Sequence, residues 1–401
     1  MAKEEINIGL DIGAQTIKIL GASRERDNNL YRLKFFEQIE TSGFSGGRVR
    51  EENSLSKKIK ELFEKVEEKY NVRIESATVN ISSRTLELLN SKESVSVSGA
   101  NGRVSELDKQ RVSEDIKTMA VGNNKNILKV FPKEWVLDGE RDISDPFGLQ
   151  GIRLELVASI LTCFSLDKEV LENVITNAKV QVDEIIPTPL ADAICLLTNE
   201  EKERGVALIN IGYSTTSLIV YEEGKVLDLA VFPVGSSHIT NDIAIGLVTE
   251  IDIAEKVKIE FGITGTSSKK IEIKDEENAE RSLIFTEKEL RNIVVPRVSQ
   301  ILGLINERLK AIDRYAKLPA GIVLTGGGSK LKGLEEFVKK ECGLPCKIKY
   351  SRNFIGFEKE DPSYSTVCGL VLFNNDLEED DFSSKNNFLE KIKDFLANFK
   401  P

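Results

Sequence analysis

Two stretches of the sequence combine a tight turn with small hydroxyl residues, a pattern that could bind phosphate. Residues 9–20 and 208–220 each read as an apolar strand, a turn at a glycine and a second strand. A tight turn points successive backbone N–H groups into one concavity, which attracts an anion. The turn glycines, Gly13 and Gly212, let the backbone come close to such a ligand because they lack a Cβ. In the second turn the hydroxyl groups that could face the ligand are those of Ser214, Thr215 and Thr216.

The two stretches align with each other. The aligned pairs are Asp11 with Asn210, Gly13 with Gly212, and Thr16 with Thr215. Either copy alone would be an ordinary β-hairpin with a glycine turn. Two copies about half a chain apart indicate a duplicated core in which two phosphate-binding hairpins face each other.

A third glycine cluster follows a buried-type strand near the end of the chain. Residues 321–325 read as this strand, Gly326, Gly327 and Gly328 follow it, and residues 331–342 read as a helix. A glycine-rich turn from a strand into a helix offers backbone N–H groups to a nucleotide. The spacing is neither that of a Walker P-loop nor that of a Rossmann dinucleotide fingerprint.

Composition argues against several classes of protein. A net charge of −10 disfavours a general nucleic-acid binder, which needs a basic surface for the phosphates. Five cysteines, an odd number, fit a reducing compartment better than a disulfide framework, and a single histidine disfavours a zinc site. No apolar run approaches the roughly 20 residues of a membrane-spanning helix, and we expect no signal peptide in the charged start of the chain.

The order of predicted elements indicates an α/β fold that carries an inserted module. An amphipathic helix at 54–70 and a strand at 77–81 follow the first hairpin, which is the start of an α/β layer. Residues 84–163 read as a small α+β module, after which a helix at 166–178 returns to the main body. Residues 199–204 read as a charged turn. Further helices are predicted at 190–197, 238–248, 251–261, 286–315 and 364–373.

The last residues of the chain read as a linker followed by an amphipathic helix. Residues 374–387 are acidic and polar, with no core-forming pattern, and predict a disordered linker. In 388–401 the apolar residues share one helical face, which predicts a helix lying in a membrane interface. The alternative is that this helix docks on the protein or on another copy. The apolar face consists of Phe388, Leu389, Ile392, Phe395, Leu396 and Phe399.

Taken together, these residues resemble the actin superfamily of ATPases and, more narrowly, the FtsA family of bacterial cell-division actin homologues. The superfamily resemblance rests on the two hairpins, the glycine cluster and residues 254–258. The narrower resemblance covers nearly the whole chain. Beyond the tail helix, it rests on residues 132–135, 145–153, 234–244 and 364–370.

The resemblance implies an α/β, two-lobed actin-like fold, that is, a duplicated ribonuclease H-like fold with an inserted small α+β subdomain and a C-terminal amphipathic helix. The implied divisions are a first lobe core at 1–83 and 164–200, the inserted subdomain at 84–163, a second lobe core at 201–241 and 321–373, its small subdomain at 242–320, the linker at 374–387 and the membrane-targeting helix at 388–401.

The resemblance also implies that ATP and Mg²⁺ lie in the cleft between the lobes. Asp11 would be the metal ligand, and Glu255 and Lys258 match positions that hold the ribose and adenine in actin relatives. The residues implied near the phosphates are Asp11, Gly13, Gln15, Thr16, Lys18, Asn210, Gly212, Tyr213, Ser214 and Thr215. Those implied behind the adenosine are Gly326, Gly327, Gly328 and Ser329.

The family role implied for the chain is that of a membrane tether in cell division. Such a protein assembles with itself, holds FtsZ filaments at the inner face of the cytoplasmic membrane through its tail helix, and recruits later division proteins. The C-terminal peptide of FtsZ would bind the subdomain at 242–320, where Arg297 matches a family contact position. The alternative for Arg297 is a plain surface arginine.

Two departures from the superfamily pattern predict ATP binding with slow or negligible hydrolysis. Asn210 stands where many actin-type ATPases carry an aspartate, which removes a carboxylate that would help to order Mg²⁺ and water. Residues 187–189, Pro-Thr-Pro, stand where efficient relatives carry a Glu or Gln that positions the water. Phosphoryl transfer depends on that positioning.

Two other classes of function stay open at the level of the sequence. One is a pilus-assembly-type actin-like adaptor, and the other is a small-molecule kinase of the same superfold. The kinase needs a catalytic aspartate in the cleft, and we expect none near the second hairpin. His238, at a turn entering a helix, is expected to be structural because no triad partners accompany it.

Overall fold

The structure is a computed structural model that describes residues 6–25, 30–119, 122, 124–263, 265–274 and 282–380. The strands are β1 (Asn7–Ile12), β2 (Thr16–Arg24), β3 (Tyr31–Glu40), β4 (Phe44–Ser45), β5 (Arg48–Val49), β6 (Ser76–Ile81), β7 (Glu87–Ser96), β8 (Lys125–Leu137), β9 (Glu140–Ile143), β10 (Arg153–Phe164), β11 (Gln181–Pro187), β12 (Val206–Ile211), β13 (Thr216–Glu222), β14 (Lys225–Phe232), β15 (Lys270–Lys274), β16 (Ser282–Thr286), β17 (Gly321–Thr325), β18 (Cys346–Ile348) and β19 (Phe354–Ile355).

The helices are α1 (Glu52–Tyr70), α2 (Glu106–Met119), α3 (Ser165–Asn177), α4 (Thr188–Leu196), α5 (Asn199–Arg204), α6 (Ser236–Gly246), α7 (Ile251–Phe261), α8 (Glu287–Ala311), α9 (Leu334–Cys342) and α10 (Ser365–Asp380). Short 3-10 helices occur at Ala100–Gly102, Gly327–Lys330 and Pro362–Tyr364.

The first lobe is built on a sheet with the strand order β11-β6-β1-β2-β3-β19. β1, β2 and β3 pair antiparallel, whereas β6 and β11 run parallel to β1. The first predicted phosphate turn joins β1 to β2, at the carboxyl end of β1. Helix α1 covers this sheet with a buried apolar stripe, formed by Leu55, Ile59, Leu62, Phe63 and Val66.

The second lobe repeats this strand order. Its sheet reads β14-β13-β12-β17-β18, with β12, β13 and β14 antiparallel and β17 and β18 parallel to β12. The second turn joins β12 to β13, and it therefore occupies the same topological place as the first. The duplicated two-lobed α/β core predicted from the sequence is confirmed.

Helices α4 and α10 pack against each other between the two sheets. In α4 every residue except Ile194 is buried, and one apolar cluster joins side chains of both sheets to both helices. Gly369 of α10 makes this close packing possible, because a Cβ there would lie 1.9 Å from the carbonyl oxygen of Ala191. The two helices thus form the connection on which the cleft between the lobes depends.

The region predicted as an inserted module contains its own sheet and core. The sheet has the order β7-β10-β8-β9, and α2 packs on it. Val112 and Ile116 of α2 join the buried Trp135 and Leu156 in a separate apolar cluster. The second lobe carries α6, α7, α8 and the β15–β16 hairpin beside its sheet.

Two predictions about local structure are wrong. Residues 199–204, predicted as a charged turn, form α5, because Thr198 and Glu201 cap its first turn reciprocally. Residues 374–380, predicted as part of a disordered linker, continue α10 beyond Phe373 to Asp380. A helix whose start is fixed by packing extends at little cost, and no glycine or proline follows Phe373 there to stop it.

Candidate functional site

The two phosphate turns and the glycine cluster meet at a single cleft between the lobes. The cavity has a volume of about 550 Å³. Of the predicted nucleotide contacts, Ser329 is the one that does not line it: this residue is buried, and its hydroxyl donates to the carbonyl of Gly326 at 2.7 Å. The predicted residues that line the cleft are Asp11, Gly13, Gln15, Thr16, Lys18, Asn210, Gly212, Tyr213, Ser214, Thr215, Glu255, Lys258, Gly326, Gly327 and Gly328.

The two turns have the same local geometry. The N–H of Gly13 donates to the carbonyl of Thr16 at 3.1 Å, and the N–H of Gly212 donates to that of Thr215 at 2.9 Å. A Cβ on Gly13 would lie 2.7 Å from the Thr16 oxygen, so only glycine fits this first turn without a shift. Each turn thus closes on itself and presents its intervening residues to the cleft.

A loop of the first lobe reaches across to the second turn. The N–H of Gly46, between β4 and β5, donates to the Ser214 hydroxyl at 2.9 Å. The Thr41 hydroxyl, at the start of this loop, donates to the carbonyl of Gly13 at 2.6 Å. The loop therefore contacts both phosphate turns, and it ties the lobes together on one side of the cleft.

Asp11 is a buried carboxylate with two neighbours in the first lobe. Lys18 Nζ lies 3.1 Å from Oδ2, and Asn80 Nδ2 donates to Oδ1 at 3.0 Å. Within the described residues no group of three or more His, Cys, Asp or Glu side chains could hold a metal. Mg²⁺ is commonly held by one or two carboxylates together with substrate phosphates and water. Asp11 fits a Mg²⁺ that arrives with a phosphate ligand, and it does not fit an all-protein metal cage.

On the second-lobe side, α7 presents an ion pair to the cleft. Lys258 Nζ donates to Glu255 Oε2 at 2.6 Å and to the Thr240 hydroxyl at 2.9 Å. The Thr240 hydroxyl in turn donates to Glu255 at 2.6 Å. Because Lys258 is buried and its two partners also bond each other, this corner of the cleft is a closed network of polar side chains.

The glycine cluster forms the back of the cleft in a tighter conformation than predicted. Gly326 has a φ of +83°, and a Cβ on it would lie 2.1 Å from Asn210 Oδ1. The segment Gly327–Lys330 is a 3-10 helix, and α9 begins only at Leu334, so the helix predicted from residue 331 does not start at the glycines. At the rim, Lys330 forms an ion pair with Asp361 at 2.8 Å, a contact that the sequence did not reveal.

Asp192 of α4 is a site residue that the sequence analysis missed. It is completely buried, and its carboxylate accepts from Asn210 Nδ2 at 2.7 Å and from the Thr366 hydroxyl at 2.7 Å. Burial raises the pKa of this carboxyl to about 7, although the two hydrogen bonds favour its charged form. An aspartate thus lies beside the second hairpin, where we expected none, but it does not line the cleft as the catalytic aspartate of a kinase would. The available signal was a charged residue within the otherwise apolar helix Thr188–Leu196.

The start of α4 lies beside the first hairpin. The Thr188 hydroxyl lies 2.6 Å from that of Ser82 and accepts from Asn80 Nδ2 at 3.0 Å. Asn80 Oδ1 accepts from the N–H of Ile12 at 2.7 Å, which fixes the amide. The Thr188 hydroxyl thus lines the cleft beside the first hairpin.

Two further predicted residues lie outside the cleft lining. His238 Nδ1 accepts from the N–H of Gly235 at 3.2 Å, which caps the first turn of α6 and agrees with a structural role. Arg297 of α8 makes a two-pronged ion pair with Asp242 of α6, with Nε–Oδ2 at 2.7 Å and Nη2–Oδ1 at 2.9 Å. About a quarter of each of these two side chains is exposed.

The predicted membrane-contacting residues lie outside the described residues, and so does the helix at 388–401. They are Phe388, Leu389, Ile392, Phe395, Leu396 and Phe399. Of the helices in the described part of the chain, none has the length and apolar character needed to cross a bilayer.

Two lobes with one repeated strand order, closing on a cleft with a glycine turn from each, define an actin-like ATPase fold. Solved structures agree on this fold. The PilM–PilN type IV pilus biogenesis complex matches with a TM-score of 0.64 and 18% identity, covering 92% of this chain and 99% of that chain. MreB5 of Spiroplasma citri bound to ADP matches with a TM-score of 0.55 and 16% identity, covering 94% and 98%.

Sequence comparison narrows the class to one family. The model for "Cell division protein FtsA" matches residues 207–369, and the model for "SHS2 domain inserted in FTSA" matches residues 84–162. Cell division protein FtsA of Borreliella burgdorferi is 30% identical over 398 residues, which is 96% of this chain and 94% of that relative. The Pseudomonas aeruginosa protein is 29% identical over 385 residues, which is 94% and 91%. The chain belongs to the FtsA family of actin-like cell-division proteins.

Proposed function

We propose that this protein binds ATP with Mg²⁺ in the interlobe cleft and tethers FtsZ filaments to the inner face of the cytoplasmic membrane at the division site. The proposal of ATP binding rests on the two turns at Gly13 and Gly212, which close with the same backbone hydrogen bond and lie on opposite sides of one cleft. Solved structures with the same fold include MreB5 bound to ADP and to AMPPNP. Membership of the FtsA family favours this function over the pilus-assembly and kinase alternatives.

The cleft offers a chemically distinct surface to each part of ATP. The turns supply backbone N–H groups to the phosphates, the ion pair of Glu255 and Lys258 supplies hydrogen-bonding groups to the ribose and adenine, and the glycine cluster leaves room for the adenosine. A bound Mg²⁺ would neutralise phosphate charge, and Asp11 is the carboxylate that would help to hold it. Lys18 and Asn80 hold Asp11 in place for that role.

Nucleotide would act mainly as a conformational and assembly ligand. No acidic or amide side chain stands at residues 187–189, and the Thr188 hydroxyl is engaged with Ser82 and Asn80, so water positioning at this place is weak. A ligand that contacts both lobes stabilises the lobe arrangement it binds best. A steady-state phosphate-release assay checks this expectation: turnover comparable to that of muscle-type or chaperone relatives would contradict it.

The membrane and FtsZ contacts would lie on separate parts of the chain. The apolar face within 388–401 would insert into the lipid interface, and the FtsZ C-terminal peptide would bind the subdomain at 242–320 near Arg297. The protein would assemble with itself, and it would recruit later division proteins through the insert at 84–163. The SHS2 match at 84–162 supports a distinct insert for that purpose.

Liposome co-sedimentation tests the tether. The full chain and a truncation ending at Asn387 are mixed with vesicles of phosphatidylethanolamine and phosphatidylglycerol, with and without Mg-ATP. We expect the full chain to pellet with lipid and the truncation to stay in solution. A Lys393→Gln variant, altered off the apolar face, is the matched control for Phe395→Glu, and we expect only Phe395→Glu to lose binding. If truncated and full chains behave alike, the tail is not the membrane anchor.

A further inference from the structure

The floor of the cleft contains an acid–amide pair beneath each phosphate turn. In the first lobe, Asp11 of β1 accepts from the amide of Asn80 at 3.0 Å. In the second lobe, Asn210 of β12 donates its amide to Asp192 of α4 at 2.7 Å. Asp11 and Asn210 are equivalent positions of the two hairpins. The pair is therefore repeated, but in the second lobe the acid lies on the connecting helix and the amide lies on the strand.

The surroundings hold the Asn210 amide in one orientation. Its Nδ2 is directed to Asp192 and lies 3.4 Å from the Thr366 hydroxyl. Its Oδ1 lies on the opposite side, where a Cβ on Gly326 would come within 2.1 Å of it. Three elements thus fix this side chain: α4, α10 and the glycine turn. Asp192 does not line the cleft, but both of its hydrogen-bond partners, Asn210 and Thr366, do. It can therefore act on a ligand only through these two side chains or through its charge.

The charge balance differs between the two pairs. In the first hairpin, Lys18 stands opposite Asp11 on the neighbouring strand and neutralises it. In the second hairpin, Ser217 stands opposite Asn210 in the same register. Within the described residues, the hydrogen-bond partners of Asp192 are the neutral amide and the neutral Thr366 hydroxyl, and no cationic side chain bonds it. The charge of Lys18 also acts on Asp192 from a distance, but Lys18 is already paired with Asp11, whose own charge acts on Asp192 in the opposite direction. A negative charge at Asp192 therefore favours an additional cation near the second turn.

We propose that Asp192 is a positioning residue of the nucleotide site, which supplies, from behind Asn210, negative charge that favours the Mg²⁺ held by Asp11 on the side of the metal that faces the second phosphate turn. The inference rests on the proposed nucleotide function. The acid lies one hydrogen bond behind the side chain that lines the cleft. Asp192 also bonds Thr366 of α10, so the same contact joins the site to both helices between the lobes.

The test compares ATP affinity with Mg²⁺ and with EDTA, by fluorescence titration of the full chain at pH 8, where Asp192 is ionised. In Asp192→Asn we expect the affinity for ATP to fall about tenfold with Mg²⁺, the scale seen when a residue supporting a metal site is replaced, and to be nearly unchanged in EDTA. The exchanged double variant Asp192→Asn/Asn210→Asp returns the acid to the strand. We expect it to recover the Mg²⁺ dependence of the wild type.

Asp108→Asn is the matched control. Asp108 is also completely buried and accepts from two hydroxyl side chains, those of Ser98 and Ser105, but it lies in the insert. We expect it to alter stability without altering either ATP affinity. If Asp192→Asn lowers the affinity for ATP equally with Mg²⁺ and with EDTA, the role of Asp192 is merely structural. If the affinity is unchanged in both conditions, Asp192 has no role in nucleotide binding. If the wild type itself binds no ATP, the proposed function fails together with this inference.

Discussion

Asp192 is a carboxyl group whose pKa lies near neutral pH, well above that of an exposed aspartate. Burial, opposed by its bonds to Asn210 and Thr366, raises its pKa from 3.8 to about 7. Between these values the folded protein holds a proton that the unfolded chain has released. The free energy of unfolding therefore falls as the pH rises through this range.

We expect Asp192→Asn to weaken this pH dependence. Between pH 5 and pH 8 the nucleotide-free wild type should lose roughly 2 kcal/mol more of its unfolding free energy than the variant does, since one pKa unit corresponds to about 1.4 kcal/mol. Urea unfolding at both pH values gives the two differences. Identical losses in wild type and variant would mean that Asp192 is ionised in the folded protein at pH 5.

At the scale of single residues, the sequence predicted those site residues that belong to the repeated hairpin pattern. Gly13 and Gly212 each lie in a strand–turn–strand pattern of nearby residues. Because the pattern occurs twice, it indicates a phosphate-binding turn and not an ordinary hairpin. Asp192 has no such copy. Its partner Thr366 is 174 residues away, so only the folded chain brings the two together. The same applies to Asn80, which reaches Asp11 from 69 residues away.

At the scale of elements, the turn after β17 depends on one glycine. Gly326→Ala should destabilise the protein by on the order of 2 kcal/mol or more, because its positive φ is costly for alanine and its Cβ would collide with Asn210. The affinity for ATP should fall with it. Gly327→Ala is the control, since nothing lies within 4 Å of a Cβ there. Thermal unfolding of both variants measures the difference in stability. Equal melting temperatures would contradict the claim that the turn after β17 requires a glycine at position 326.

Helix α8 carries two comparable arginines, of which one is proposed to contact FtsZ. Arg297 is paired with Asp242, and Arg308, three turns further on, is paired in the same two-pronged way with Asp228. Arg297→Ala should weaken binding of an FtsZ C-terminal peptide at least about fivefold, the scale of a residue that contributes to an interface. Fluorescence anisotropy measures this affinity, with Arg308→Ala as control. Equal affinities for the two variants would leave Arg297 as a structural ion pair.

The elements themselves were predictable where amphipathic periodicity was strong. α1 and α7 begin and end within two residues of the predictions at 54–70 and 251–261. α5 was missed because its stability comes from the cap at Thr198 and not from an apolar face. The end of α10 was misplaced because composition marked the polar residues after Phe373 as a linker, whereas the packed start of the helix carries it onward to Asp380.

At the scale of the whole molecule, the duplication organises both fold and site. Each sheet places its first strand at the centre, so the loop leaving that strand opens at the interface between the lobes. The crevice beyond the strand ends, where the strand order reverses, is where α/β sheets bind ligands. The repeat in the sequence predicted the two hairpins and their opposition. The repeat did not predict that α4 forms part of the cleft floor, because the polar residues of this helix lie within a run of mostly apolar residues.

The most direct test of the account is a crystal structure of the protein with Mg²⁺ and a non-hydrolysable ATP analogue. We expect the phosphates between the turns at Gly13 and Gly212, the adenosine against Gly326 to Gly328, and the metal nearest Asp11. Triphosphate density bridging the two lobes in this way would support the nucleotide site as proposed. A nucleotide bound elsewhere, or an empty cleft at saturating analogue, would contradict it.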